Sequence, residues 1–98
     1  MGVLLYGDRQ QRIEIEDRTL AHLQVVIGSK LRRRESFFFT FTEGRGETRG
    51  SVWISPAIPI RFKYFGTRPP TLNRDWLERL SASANTPGGL VLLEEQTD

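Results

Sequence analysis

Cysteine is missing altogether from this chain of 98 residues. Its absence removes disulfides, thiolate metal sites, iron–sulfur clusters and cysteine nucleophiles together. Histidine occurs once, at His22, and a single histidine does not assemble the usual zinc site. Any of Ser36, Ser51, Ser55, Ser81 and Ser83 would have to share that one base, so only a Ser–His pair formed in space stays open. His22 lies beside an apolar stripe and is expected at the boundary or on the surface. Long apolar runs are lacking too. Met1 to Asp8 holds a short one without a basic leader, too brief for a signal peptide or a membrane span. A cytoplasmic protein with no membrane contact is expected.

Phosphate-binding signatures are equally scarce. No Walker sequence exists. Gly44-Arg45-Gly46-Glu47-Thr48-Arg49-Gly50 has its third glycine one position late for a dinucleotide fingerprint, and it lies between two strands rather than before a helix. Glu14 and Glu16 share a strand face, as acid–base carboxylates would, but they are also the polar side of an alternating strand, and that explanation suffices. No catalytic residue, cofactor or metal is expected.

What is present is an ordinary globular balance, 38% hydrophobic and 27% charged, enough for one domain over residues 1–98. Net charge is only +2 but unevenly placed. Residues 30–74 hold ten basic and three acidic groups, which leaves that segment at +7 and the remainder at −5. Such asymmetry suggests a basic surface for an acidic partner, or simply solvated arginines.

Periodicity orders the elements. Val3–Tyr6 and Arg12–Glu16 read as two strands joined by a turn at Gly7-Asp8. Asp17 is placed to cap a helix of about 17 residues, whose stripe is Leu20, Leu23, Ile27 and Leu31 with Val26 beside it. Ser36–Thr42 is a strand with Phe37, Phe39 and Phe41 on one side and Phe38, Thr40 and Thr42 on the other. Glu43–Gly50 is a glycine-rich hairpin loop, Ser51–Ser55 the returning strand, and Ile60–Phe65 another. After the stiff Gly66–Pro70 connector, Asn73 caps a second helix, with Leu72 and Leu77 at the positions of a hydrophobic staple. Pro87-Gly88-Gly89 ends that helix, Leu90–Leu93 makes a last strand, and residues 94–98 should fray. The expected fold is α+β in the order ββαβββαβ, a mainly antiparallel curved sheet of about six strands with both helices on one face.

On such a sheet Phe38, Trp53, Arg61, Lys63 and Phe65 would share the face turned away from the helices. Arg32, Arg33 and Arg34 at the helix end, with Arg45 and Arg49 in the loop, would extend it. Two functions fit rings mixed with cations. One is self-association or binding of a protein partner through the outward face. The other is single-stranded nucleic acid, with bases stacked on the rings and phosphates on the cations.

The segments Ile13-Glu14-Ile15-Glu16-Asp17-Arg18, Leu20-Ala21-His22-Leu23, Lys30-Leu31-Arg32-Arg33, Trp53 to Phe65 and Leu72-Asn73-Arg74-Asp75-Trp76 carry a resemblance. Over nearly its whole length the chain resembles a family of short actinobacterial proteins of about this size. They look like domains of unknown function, many labelled "ATP-dependent DNA ligase". The label implies a link to DNA transactions rather than ligation. Such ligases need a lysine nucleophile in Lys-x-Asp-Gly, whereas the lysines here read Lys30-Leu31-Arg32-Arg33 and Lys63-Tyr64-Phe65-Gly66. The length also falls far short of an adenylation domain plus a DNA-wrapping domain. The resemblance supplies no catalytic residues.

Overall fold

The computed structural model describes residues 1–43 and 46–95. Its elements are β1 (Gly2–Tyr6), β2 (Gln11–Ile15), α1 (Asp17–Arg32), β3 (Phe37–Glu43), β4 (Thr48–Ile54), β5 (Ile60–Lys63), α2 (Arg74–Ala84) and β6 (Leu90–Val91). Class and order agree with the sequence pattern. The six strands, however, divide between two sheets. One is antiparallel with order β2-β1-β5; the other has order β4-β3-β6, with β6 parallel to β3.

Alternation decides which side of each sheet meets the core. Leu4, Tyr6, Ile13 and Ile15 of the first sheet share one hydrophobic cluster with Phe37, Phe39, Phe41 and Ile54 of the second, and with Leu20, Leu23, Ile27, Trp76 and Leu80 from the helices. Central position explains why all five residues of β1 are buried. Where the sheets meet, the Tyr6 hydroxyl donates to Trp53 O and accepts from Ser55 N at 3.1 Å. It thereby takes the place of a neighbouring strand along that end of the β4 edge. Ser83 Oγ does the same for β6, donating to Gly89 O at 3.2 Å and accepting from Val91 N at 2.7 Å. The first sheet instead places charged residues on its edge strands, Arg12 and Glu14 on β2 and Arg61 and Lys63 on β5. Both devices discourage edge-to-edge aggregation.

Helix α1 buries a wider stripe than the leucine spacing predicts. His22, Val26 and Lys30 form a second row at i, i+4, i+8, and it is buried. This row meets α2 at both its ends. His22 Nε2 accepts from the backbone N–H of Asn73, the N-cap, at 2.8 Å; Lys30 Nζ donates to Oδ1 of Asn85, the C-cap, at 2.8 Å. The helices therefore run in the same direction, with their C-termini at one end of the molecule.

Several local expectations are corrected. Asp17 does not cap α1; the N-cap is Glu16, without a side-chain bond. The Asp17 carboxylate accepts instead from Phe65 N at 3.1 Å and Gly66 N at 2.9 Å, which ties the connector after β5 to the start of α1 and holds the Asp17 pKa below its ordinary value. Asn73 does cap α2, accepting from Trp76 N at 3.2 Å, although Leu72 of the supposed staple stays exposed. Strand β5 stops at Lys63, so Phe65 is not a strand residue, and the last strand is two residues rather than four. Strands β3 and β4 run further into the hairpin than expected, to Glu43 and from Thr48.

Candidate binding site

The ten residues singled out in the sequence fall into separate groups. Phe38 and Trp53 are direct cross-strand partners on the outward side of the second sheet. Their rings stand edge to face at 4.9 Å between centroids, and they remain 45% and 49% exposed. Ring pairs in this geometry attract beyond simple burial, which holds the two in place without covering them. The register extends this side through Thr40 and Ser51 to Thr42 and Arg49, with Val91 beside Thr40.

Arg61 and Lys63 lie elsewhere. They belong to β5 of the first sheet, in register with Leu5 and Val3, whose other cross-strand partners are Arg12 and Glu14. The expected single face carrying rings and cations together is therefore two faces on two sheets. The physical reason is strand pairing: β5 leaves the β3–β4 hairpin after Pro56 and Pro59 and pairs with the N-terminal strand. Phe65, 85% exposed, follows β5. Arg32 ends α1, Arg33 is its C-cap, and Arg34 turns the chain at φ 60°, all three exposed. Arg45 lies outside the described residues.

A different cation stands beside the rings. A cleft of about 450 Å³ opens between the end of α1, the start of β3, Trp53 and the turn after α2; Lys30, Ser36, Phe38, Trp53, Asn85 and Thr86 are among its lining. Lys30 is buried to 8% exposure, 5.7 Å above the Phe37 ring. Besides Asn85 its ammonium meets Glu35 Oε1 at 3.2 Å, and Arg33 meets the same oxygen at 3.3 Å. Both helices end here with partly negative carbonyl groups. Helix α2 has no basic residue in its last turn, so Lys30 of α1 supplies the cation to both. Gly89 closes the cleft at φ +82°, where a Cβ would come within 2.3 Å of Phe38 O. The sequence signal for Lys30 was its place in the His22–Val26 row.

The opposite end of α1 is polar in a different way. His22 is fully buried, not at a boundary. Nδ1 lies 2.7 Å from Arg18 O, a pure acceptor, and Nε2 faces the donating Asn73 N–H. Nδ1 is thus placed to donate and Nε2 to accept, and the ring packs on Trp76 at 4.4 Å. Arg18 binds Glu95 through Nε and Nη2, both at 2.7 Å, and Thr71 O through Nη1 at 2.9 Å. Asn73 Nδ2 donates to Glu95 Oε2 at 2.8 Å, and Trp76 Nε1 to Leu93 O at 2.8 Å. Glu95, expected to fray, is anchored instead; residues 96–98 lie outside the described residues. The Arg18 and Asn73 donors hold its carboxyl at a pKa of about 2, against an ordinary 4.5. Both histidine nitrogens are engaged, neither of them by a serine, so among the described residues this network reads as structure.

Among the described residues no group of three or more His, Cys, Asp or Glu side chains could hold a metal, and no helix is long and apolar enough to cross a membrane. A family model described as "Domain of unknown function (DUF7882)" matches residues 1–95. No curated protein and no solved structure matches the chain.

Proposed function

The chain belongs to the DUF7882 family of domains of unknown function, and we propose that it is a small non-catalytic binding module that self-associates through the outward face of its second sheet. One observation carries this reading. Phe38 and Trp53 form a ring pair that stays about half exposed on a sheet whose other side is core. Large exposed rings on a well-packed sheet are typical of contact surfaces. Arg61 and Lys63 stand on the other sheet, which leaves Arg49 as the strand cation on the side of the rings and weakens the case for a nucleic-acid platform. The cysteine-free composition fits a reducing, cytoplasmic setting.

Light scattering after size exclusion, over a concentration series at low and high salt, tests the proposal. The expected result is a dimer that dissociates on dilution and barely responds to salt. Replacing Phe38 and Trp53 with serine gives a monomer, while the Arg61→Ala, Lys63→Ala double variant still dimerises. A protein that is monomeric throughout overturns the reading.

Lys30 beside the rings is the observation that favours the alternative, single-stranded nucleic acid. Fluorescence anisotropy with a labelled single strand distinguishes it, because that binding falls steeply as salt rises.

A further inference from the structure

Glu35 sits awkwardly. Two cations approach one of its oxygens at 3.2 and 3.3 Å, yet that oxygen is shut off from solvent and receives no correctly aimed hydrogen bond. A buried carboxylate oxygen without directed donors forfeits much of what an ion pair can give. Lys30, for its part, has three ammonium hydrogens and two oxygen partners among the described residues, Asn85 and Glu35. It is nine-tenths buried and lines the cleft whose walls include the Phe38 and Trp53 rings.

We propose that this cleft is a binding site for a carboxylate carried on a flat apolar body, with the carboxylate on Lys30 and the body against Phe38 and Trp53. Glu35 is the resident stand-in: it shows that Lys30 and Arg33 already converge on a carboxylate, and an incoming one competes with it. Charge agrees, since Lys30, Arg32, Arg33 and Arg34 outnumber Glu35 at this end of α1. The cleft's size suits such a group, at about 450 Å³, within the usual range for small-molecule sites. This site uses the ring pair of the self-association face but does not depend on self-association.

Trp53 gives the readout, since Trp76 is buried. The probes are 3-phenylpropionate, its uncharged amide, and a mononucleotide, each titrated against the whole chain while tryptophan emission and amide NMR shifts are followed. The carboxylate should bind about tenfold more tightly than the amide, the loss expected when one charge-assisted contact is removed. Glu35→Gln, an alteration of a half-exposed side chain, should tighten carboxylate binding severalfold, and Lys30→Met should abolish it. Equal binding of acid and amide, or an unchanged affinity in Glu35→Gln, overturns the proposal whether or not Lys30→Met folds. A mononucleotide that outcompetes the carboxylate also overturns it, in favour of phosphate. Dimerisation is measured separately by light scattering, so failure of this site and failure of the self-association reading are told apart.

Discussion

The two ends of helix α1 carry similar residue types and do different things with them. At the N-terminal end, Arg18, His22, Asn73 and Glu95 direct their hydrogen bonds at matched partners, and Trp76 covers the histidine. At the C-terminal end, Lys30, Arg33 and Glu35 share one poorly directed oxygen beside two open rings. Polar groups that satisfy one another in the interior specify a fold. Polar groups left with spare capacity next to exposed aromatic surface are where a ligand or partner gains most. The contrast supports a structural role for the N-terminal end and is the basis of the binding proposed for the other.

Substitutions sharpen or break it. His22→Ala should have the largest effect, about 3 kcal/mol or more of lost stability in urea unfolding, because it opens a cavity under Trp76 and leaves the Asn73 N–H without its acceptor. A loss below about 1 kcal/mol would mean that the N-terminal end is not a structural hub. Asn73→Ala should cost about 1–2 kcal/mol, since it removes the α2 cap and one donor to Glu95.

Acid should act at the same end. The folded pKa of Glu95 is depressed, so its stabilisation is present above its ordinary 4.5 and is lost as pH falls toward about 2. Glu95→Gln should therefore lower stability at neutral pH and flatten the decline across that window. An unchanged acid profile in the variant would place the pH sensitivity elsewhere. Smallest of all should be Trp53→Ser at the other end, with a stability change within about 0.5–1 kcal/mol but loss of self-association. A large destabilisation there would turn the ring pair from a contact surface into core.

Much of this was legible in the residues. Period-two alternation set which of Phe37 to Thr42 face inward, and the Leu20, Leu23, Ile27 spacing set α1, because side-chain direction within one element follows local backbone geometry. Asn73 was readable as a cap for the same reason: its carbonyl oxygen needs only the amide three residues on. Asp17 misled because its carboxylate found Phe65 and Gly66, groups 48 and 49 residues away, in preference to the local bond.

The candidate surface was less legible. That Phe38 and Trp53 point outward was set by alternation. That Arg61 and Lys63 do not join them was set by β5 pairing with β1, a choice between strands of similar pattern that no local signal records. The spacing of His22, Val26 and Lys30 was the one signal for their burial; that Lys30 lines a cleft and Glu95 meets Arg18 was invisible, because each depends on where a second helix or a distant segment comes to rest.

By itself, then, the sequence determined the α+β class, the order of elements and the two sides of each strand, through interactions a few residues long. The division into two sheets, the parallel approach of α1 and α2, and the cleft at their shared C-terminal end were decided only by tertiary packing. Those features arise from contacts between segments far apart in the chain, and hydrophobic burial selects them for the molecule as a whole.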